Sequence, residues 1–358
     1  MKAENEEFSI YPAKIKVVGI GGGGCNAVER MYEEGIEGVE FIAANSDVQH
    51  LAGLKVPNKI QLGKKLTRGL GVGGDPELGE KAAEESREAL AEAVKGSDLV
   101  FLTAGMGGGT GTGGIPILAE ICKEAKALTV AVVTLPFSFE GTHRAKVAEE
   151  GLIKLQDKVD TLIVIPNDRL LELADQRLLF RDAFRMADEA LYAGVKGISE
   201  LVTVQGVINL DLADLRAVLS NAGPAWMAIG RATGHNRAVE AAKNALSSPL
   251  LGTPIKDAKR ILYSIMGGPD LTLHEVKEVG DFIRSVAAPD AMIIFGVVQN
   301  EEISDEIRII LVATGFPAPS PKRRERKPSL AEEREELASL KEGEKLDIPT
   351  FLRRAALR

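Results

Sequence analysis

The stretch that decides the fold is Ala104-Gly-Met-Gly-Gly-Gly-Thr-Gly-Thr-Gly-Gly114. It follows an apolar run over 99–103 and precedes a helical pattern that starts near Ile115, with Pro116 placed for the first turn. A strand, a glycine loop and a helix N-terminus in this order predict a cradle of backbone N–H groups for phosphate. No Gly-Lys-Ser/Thr follows, so the loop is not a Walker A motif, and its only side-chain donors are two threonines. A flexible linker is the alternative, but linkers rarely lie between a buried strand and a helix start.

The composition limits the kind of protein that this chain can be. The chain has 358 residues, which predicts two domains, and 45% of them are hydrophobic. Its net charge of −8 argues against nucleic-acid binding, because phosphate contacts need clustered lysine and arginine. Cys25 and Cys122 form neither a metal spacing nor a disulfide framework and predict a reducing interior. The charged amino terminus has no apolar signal core, and no run of about 18 apolar residues occurs, so we expect a cytoplasmic protein without direct membrane insertion.

A second glycine cluster over 21–24 follows a β-rich run and leads through Cys25 and Asn26 into another helical pattern. The spacing G-x-G-x-x-G is satisfied here, and Asn45 and Asp47 follow the next strand pattern, about where a ribose-binding acid is expected. A dinucleotide-binding oxidoreductase is therefore one interpretation. The spacing is nearly automatic within four consecutive glycines, however, and such an enzyme would give the longer glycine stretch no role.

A third polar loop contains Gly73 and Gly74 and ends at Asp75, a natural N-cap. Pro76 is a natural first helical residue, so the sequence predicts a long helix over 77–95. The loop is either an ordinary surface connection or a third phosphate-side loop that senses the terminal group of a nucleotide.

Apolar runs over 128–135 and 161–166 predict strands that are buried on both faces. Together with the earlier βα units they predict an α/β fold with a Rossmann-like, doubly wound parallel sheet. Glu140 and Arg144 lie one helical turn apart, placed either for ribose hydroxyls and phosphates or for a plain ion pair. Asn167 follows the second run, at the edge where such sheets bind ligands.

A helical stretch over 178–201 contains Phe184 and, one turn later, Asp188. Phe184 is either a core residue or a platform on which a base stacks. A carboxylate such as Asp188 accepts hydrogen bonds from guanine N1–H and N2–H, whereas adenine offers an acceptor at N1 and would be rejected.

The loop after this helix carries Asn209, Asp211 and Asp214. Asn209 and Asp211 are either turn or capping residues or, together with Asp214, the groups that orient and partly deprotonate a water attacking a γ-phosphate. They are the strongest catalytic candidates, because the chain has only four histidines and no Ser/His/Asp or Cys/His constellation.

The sequence changes character twice beyond residue 222. A further α/β segment predicts a smaller second domain for support or assembly. A charged segment without aromatic residues follows, which predicts a disordered linker over 317–346. In the last twelve residues, Ile348, Phe351 and Leu352 recur at helical spacing and suit the groove of a partner, a fraying terminus being the alternative.

This set of motifs resembles the FtsZ family, the prokaryotic relatives of tubulin that assemble the cell-division ring. The glycine loops are shared by all tubulin-like proteins. The loop Asn-Leu-Asp-Leu-Ala-Asp over 209–214 and the tail Asp-Ile-Pro-Thr-Phe-Leu over 347–352 are the more specific matches. A relative that binds nucleotide without hydrolysing it is a further alternative, against which the two aspartates of the loop argue.

The resemblance implies GTP or GDP as the ligand, with Mg²⁺ held through phosphates and waters. It implies that Asn209, Asp211 and Asp214 enter the nucleotide pocket of the next subunit, so that hydrolysis requires a head-to-tail homopolymer. The nucleotide-binding residues expected in this sequence are Gly22, Gly23, Gly24, Cys25, Asn26, Asn45, Asp47, Gly73, Gly74, Gly107, Gly108, Gly109, Thr110, Gly111, Thr112, Glu140, Arg144, Asn167, Phe184 and Asp188. Cys25 stands where many relatives have another small residue, which would leave an oxidisable thiol beside the phosphates.

The resemblance also implies a location at the division site and a membrane-tethering division adaptor bound through Ile348, Phe351 and Leu352. The expected organisation is a flexible segment (1–13), a GTP-binding domain (14–177), a central connecting helix (178–201), a C-terminal assembly domain with the catalytic loop (202–316), the linker (317–346) and a partner-binding tail (347–358).

Overall fold

The computed structural model describes residues 13–172, 179–204, 207–208, 210–251, 254–300 and 303–316. Strands of this part are β1 (Ile15–Ile20), β2 (Val39–Asn45), β3 (Asn58–Gln61), β4 (Leu99–Gly105), β5 (Leu128–Leu135), β6 (Thr161–Pro166), β7 (Gly223–Thr233), β8 (Arg260–Gly267), β9 (Met292–Gln299) and β10 (Glu306–Thr314).

These strands form a ten-stranded sheet in the order β3-β2-β1-β4-β5-β6-β7-β10-β8-β9. The pairs from β3 to β7 are parallel, and β10 runs antiparallel to both β7 and β8. The first six positions repeat the order 3-2-1-4-5-6 of a doubly wound fold, so the predicted fold class is confirmed. In such a sheet, ligands bind beside the carboxyl ends of the strands where the order reverses, here between β1 and β4.

The helices cover both faces of the sheet, and buried apolar side chains fill the space between. They are α1 (Gly21–Glu34), α2 (Val48–Gly53), α3 (Lys64–Thr67), α4 (Pro76–Glu85), α5 (Arg87–Val94), α6 (Thr110–Glu124), α7 (Thr142–Gln156), α8 (Asn167–Leu171), α9 (Phe180–Thr203), α10 (Leu212–Leu219), α11 (Arg237–Leu246) and α12 (Leu273–Val286), with short 3₁₀ turns at Ser138–Glu140 and Ile255–Asp257.

The glycine cluster 21–24 lies within α1, and the cluster after β4 is helical from Thr110 onward, which corrects the prediction that both helices start after the glycines. Helix α1 begins at Gly21 and α6 at Thr110, so Pro116 lies inside α6 and not in its first turn. The physical reason is close packing: a Cβ on Gly113 would lie 2.0 Å from the carbonyl oxygen of Pro76. Glycine weakens a helix by about 1 kcal/mol per residue, and here it permits contacts that no other residue allows.

The long helix expected over 77–95 is broken at Ser86, which separates α4 from α5. The Ser86 hydroxyl accepts a hydrogen bond from the backbone N–H of Gly63 at 3.0 Å and donates to the carbonyl of Gln61 at 3.4 Å. The break therefore anchors the start of the third loop, which itself contains α3. The predicted N-cap Asp75 and first helical residue Pro76 are confirmed.

Helix α9 runs from the carboxyl ends of the parallel strands to their amino ends. Phe184, near its start, lies at the carboxyl edge of the parallel strands, while Thr203, at its end, contacts Gly38 just before β2 begins. Its 24 residues span about 36 Å. The chain that leaves α9 therefore emerges at the amino edge, far from the glycine loops.

Candidate functional site

A cavity of about 650 Å³ opens at the carboxyl edge of the parallel strands, between the starts of α1 and α6 and helix α9. The predicted nucleotide-binding residues that line it are Gly22, Gly23, Asn26, Asn45, Asp47, Gly73, Gly74, Gly108, Gly109, Thr110, Gly111, Glu140, Arg144, Asn167, Phe184 and Asp188. Segments distant in sequence, including the third loop, thus meet at a single site.

Four residues of the predicted set do not line the cavity: Gly24, Cys25, Gly107 and Thr112. Three of them support the glycine loops from the side that faces the protein interior. A Cβ on Gly24 would lie 2.3 Å from the carbonyl oxygen of Thr103, so glycine lets α1 press against β4. The Thr112 hydroxyl accepts a hydrogen bond at 2.9 Å from the backbone N–H of Gly107, whose φ of 95° requires glycine. These residues shape the cradle.

Cys25 is the fourth, and its thiol faces the core instead of the cavity. Its side chain is fully buried, and the thiol donates to the carbonyls of Gly19 at 3.6 Å and Ala44 at 3.4 Å. Burial raises the pKa of the Cys25 thiol to about 12. Because the thiolate is the reactive form, this cysteine is poorly suited to oxidation.

The anion-binding end of the cavity is built from backbone. The starts of α1 and α6 are in direct contact, since a Cβ on Gly21 would lie 2.6 Å from the nitrogen of Gly111. A Cβ on Gly22 or Gly108 would meet no protein atom within 4 Å, so the cradle is open on the cavity side. Two helix N-termini with free N–H groups therefore point at one place, which favours an anion there.

The opposite end of the cavity offers an aromatic ring and two acceptors. Phe184 is 38% exposed, against the interpretation of it as a core residue, and its ring contacts those of Phe137 and Phe180 edge-on. Burial raises the pKa of Asp188 to about 6, partly offset by the guanidinium of Arg30. Among the described residues, the buried Oδ1 of Asn167 has no hydrogen-bond partner. Its free acceptor indicates a ligand with N–H groups.

Glu140 and Arg144 form the ion pair that the sequence left open, and both line the cavity. The Glu140 carboxylate also accepts from the backbone N–H of Phe137 at 2.9 Å. The pair therefore fixes the 3₁₀ turn at the cavity rim while keeping the more exposed Arg144 near the ligand.

Some of the residues that line the cavity were not among the predicted nucleotide-binding residues. The helical spacing of 184, 187, 188 and 191 could have indicated Ala187 and Leu191 on α9. No sequence pattern marked His50. The additional lining residues are Ser46, His50, Leu70, Gly71, Val72, Gly105, Met106, Thr134, Pro136, Ala187 and Leu191.

The acidic loop does not reach the cavity. Asn209 lies outside the described residues. Asp211 is the N-cap of α10 and accepts from the N–H of Asp214 at 2.7 Å, while the carboxylate of Asp214 accepts from the N–H of Asp211 at 3.3 Å. The capping interpretation is thus confirmed for Asp211, and Asp214 completes a capping box with it.

Helix α10 packs at the amino edge of the sheet. Arg216 donates to the carbonyl of Asp98, immediately before β4, at 3.1 Å, and the carbonyl of Leu219 accepts from the hydroxyl of Thr161, at the start of β6. The seven residues of β4 span about 20 Å between this edge and the cradle. A single chain therefore does not bring its own acidic loop to its own cavity.

Within the described ranges, no helix combines the length and apolar character needed to cross a bilayer.

Comparison with known proteins identifies both halves of the chain. The family model described as Tubulin/FtsZ family, GTPase domain, matches residues 14–175, and the model described as FtsZ family, C-terminal domain, matches 223–317. A solved FtsZ dimer from M. jannaschii is 49% identical, with a TM-score of 0.82 over 85% of this chain and 89% of that chain.

Two further structures share the fold at lower identity. CetZ1 from Haloferax volcanii, a GDP-bound monomer, is 23% identical with a TM-score of 0.74 over 85% of this chain and 94% of that chain. CetZ2 from the same organism, a GTPγS-bound protofilament, is 22% identical with a TM-score of 0.73 over 92% and 99%. The dinucleotide-binding oxidoreductase is thereby excluded, and the resemblance is confirmed. The chain belongs to the FtsZ family of tubulin-like GTPases.

Proposed function

We propose that this GTPase assembles head-to-tail into filaments of the cell-division ring and hydrolyses GTP at the contact between successive subunits. The observation that carries the proposal is the placement of the cavity and the acidic α10 start at opposite edges of one sheet. A contact between unlike surfaces that does not close on itself gives an open filament. In such a filament each cavity faces the aspartates of the next copy.

The chemistry of the cavity supports a guanine nucleotide. The glycine cradle suits phosphates, Phe184 offers a face for the base, and the Asp188 carboxylate accepts from guanine N1–H and N2–H. Asn167 supplies a further acceptor that the protein itself leaves unused. The proposal includes Mg²⁺ held through the phosphates and waters, the usual way in which this ion is bound at nucleotide sites.

In the proposed mechanism the cavity of one copy binds the nucleotide, and the acidic loop of the adjoining copy activates the water. The cradle binds and orients the triphosphate, and when bound with it Mg²⁺ neutralises phosphate charge. Asp214 of the adjoining copy, with Asp211 and Asn209, orients the attacking water and accepts its proton. The reciprocal capping of the two aspartates holds their carboxylates at the start of α10, the end that would face the neighbour.

The solved relatives add support for assembly. One is an FtsZ dimer and another a CetZ2 protofilament. For this chain we expect material that sediments at high speed in GTP and Mg²⁺ and stays in the supernatant in GDP. Sedimentation that is equal in both nucleotides would count against nucleotide-dependent assembly.

The proposal also includes a location in the cytoplasm at the division site and an adaptor that tethers the filament to the membrane. Its anchor residues Ile348, Phe351 and Leu352 and the linker lie outside the described residues. Deleting 347–358 is expected to leave GTP-dependent sedimentation unchanged and to abolish co-sedimentation of the adaptor. Undiminished capture of the adaptor by the shortened chain would remove the tail from the proposal.

Asp188 makes nucleotide affinity depend on pH. Only the ionised carboxylate accepts both guanine N–H groups, and its pKa in the free protein is about 6. Protonation therefore competes with the ligand, and GDP affinity should fall up to about tenfold per pH unit below 6. Titration calorimetry with GDP from pH 7.5 to 5 measures this.

The control is Asp188→Asn, which removes this titration but keeps that of the nucleotide phosphates. Its GDP affinity should be weaker throughout and should change less with pH than that of the wild type. Equal pH slopes in the two proteins would exclude Asp188 as the group that reads guanine.

A further inference from the structure

His50 lines the cavity, but the proposed reaction gives it no role. It lies in α2, where its backbone N–H donates to the capping carboxylate of Asp47 at 3.2 Å. Its ring bridges two elements: Nε2 lies 2.8 Å from Oδ1 of Asn26 in α1, and Nδ1 lies 3.2 Å from Nδ2 of Asn45 at the end of β2. All three side chains line the cavity.

The hydrogen-bond partners determine which atom donates. Oδ1 of Asn45 faces the backbone N–H of Asp47 at 3.4 Å, so its Nδ2 is the atom that donates to Nδ1 of His50. A ring that accepts at Nδ1 carries its hydrogen on Nε2 and donates to Oδ1 of Asn26. His50 is therefore the donor that occupies Oδ1 of Asn26.

The orientation of Asn26 follows from that bond. Its side chain is exposed to the cavity, and an amide in this position could present either its oxygen or its NH₂ group. Because the histidine occupies the oxygen, the NH₂ group remains for the ligand. A nucleotide carries many acceptors, on its phosphates, ribose and base, so a donor is the favourable group here.

We propose that His50 is a positioning residue of the nucleotide site, which fixes the side-chain amide of Asn26 as a donor toward the bound nucleotide. The inference rests on the proposed binding of a guanine nucleotide in this cavity. His50 does not touch the reacting atoms in this account. It acts through Asn26, with Asn45 holding the far side of the ring.

The test is a double-mutant cycle in GDP affinity, measured by titration calorimetry on the full chain at pH 7.5. His50→Ala should weaken GDP binding about five- to tenfold, the range of one hydrogen bond. His50→Gln, whose amide can still donate to Asn26, should recover most of this loss. Gln49→Ala, an exposed neighbour on α2 that does not line the cavity, is the matched control and should bind as the wild type does.

The cycle with Asn26→Ala shows whether His50 influences GDP affinity through Asn26. If His50 acts through Asn26, His50→Ala should cause little further loss when Asn26 is already alanine. Losses that add in full, or a His50→Ala protein with wild-type affinity, would overturn the inference. Thermal unfolding of each ligand-free variant shows whether the fold is intact, and if His50→Ala does not fold, His50→Leu, which keeps bulk but cannot donate to Asn26, takes its place in the cycle. A wild-type chain that fails to bind GDP would instead contradict the proposed function.

Discussion

Asp214→Asn is expected to lower the rate of GTP hydrolysis by at least about 100-fold and to leave GDP affinity unchanged. The amide cannot accept a proton from water, whereas the carboxylate can. Its oxygen can still accept from the N–H of Asp211, so the start of α10 should be preserved. Because the residue lies at the edge of the sheet opposite the cavity, the chain's own nucleotide site is untouched. Phosphate release at a concentration well above the assembly threshold measures the effect.

Asp281→Asn, in an exposed position on α12, is the matched control for the loss of one carboxylate and should retain wild-type turnover. Sedimentation in GTP separates catalysis from assembly: the Asp214 variant should form filaments that persist, because their GTP is not consumed. Wild-type turnover in Asp214→Asn would refute the catalytic role of this residue.

Gly108→Asp is expected to weaken GDP binding by more than about 100-fold and so to prevent GTP-dependent assembly. A Cβ at this position meets no protein atom within 4 Å, and the glycine does not adopt a positive φ, so the fold should tolerate the side chain. The new carboxylate would project from the cradle and repel the phosphates through a cavity that is partly shielded from water. Calorimetric titration with GDP provides the measurement.

Gly53→Asp provides the comparison, since a Cβ on Gly53 would also meet no atom within 4 Å but Gly53 does not line the cavity. It should bind GDP with wild-type affinity, and the unfolding temperatures of the two variants should be similar. A Gly108→Asp protein that binds GDP normally would show that the phosphates lie elsewhere.

The sequence predicts the sheet well because its signals are local. Apolar runs such as 99–103 and 128–135, bounded by turn residues, are typical of strands buried on both faces of a parallel sheet, and they form β4 and β5. The start of α6 was misplaced for the opposite reason. Intrinsic propensity argues against a helix through Thr110–Gly114, and the tertiary approach of Pro76 overrides it.

The site was predicted residue by residue where glycine or a strand end marks the position. Cys25 could not be assigned in this way, because adjacent residues on a helix point in different directions and only packing shows that the thiol faces the core. His50 carries no pattern at all, since its role depends on Asn26 and Asn45, which come from two other elements.

The separation of cavity and acidic loop is likewise invisible in the sequence alone. Asp188 lies in α9 and Asp211 soon follows its end, and their short separation along the chain gives no hint that they lie at opposite edges. Only the course of α9 across the sheet shows it. That course is the structural basis for a site completed by a second copy.

The most direct test of this shared site is the GTPase rate per molecule as a function of protein concentration, with light scattering recorded in parallel. The account predicts a rate near zero at low concentration that rises only when scattering shows assembly. A rate per molecule that is independent of concentration would mean that each chain carries a complete site, which would contradict the assignment of Asp211 and Asp214 to the cavity of a neighbouring copy.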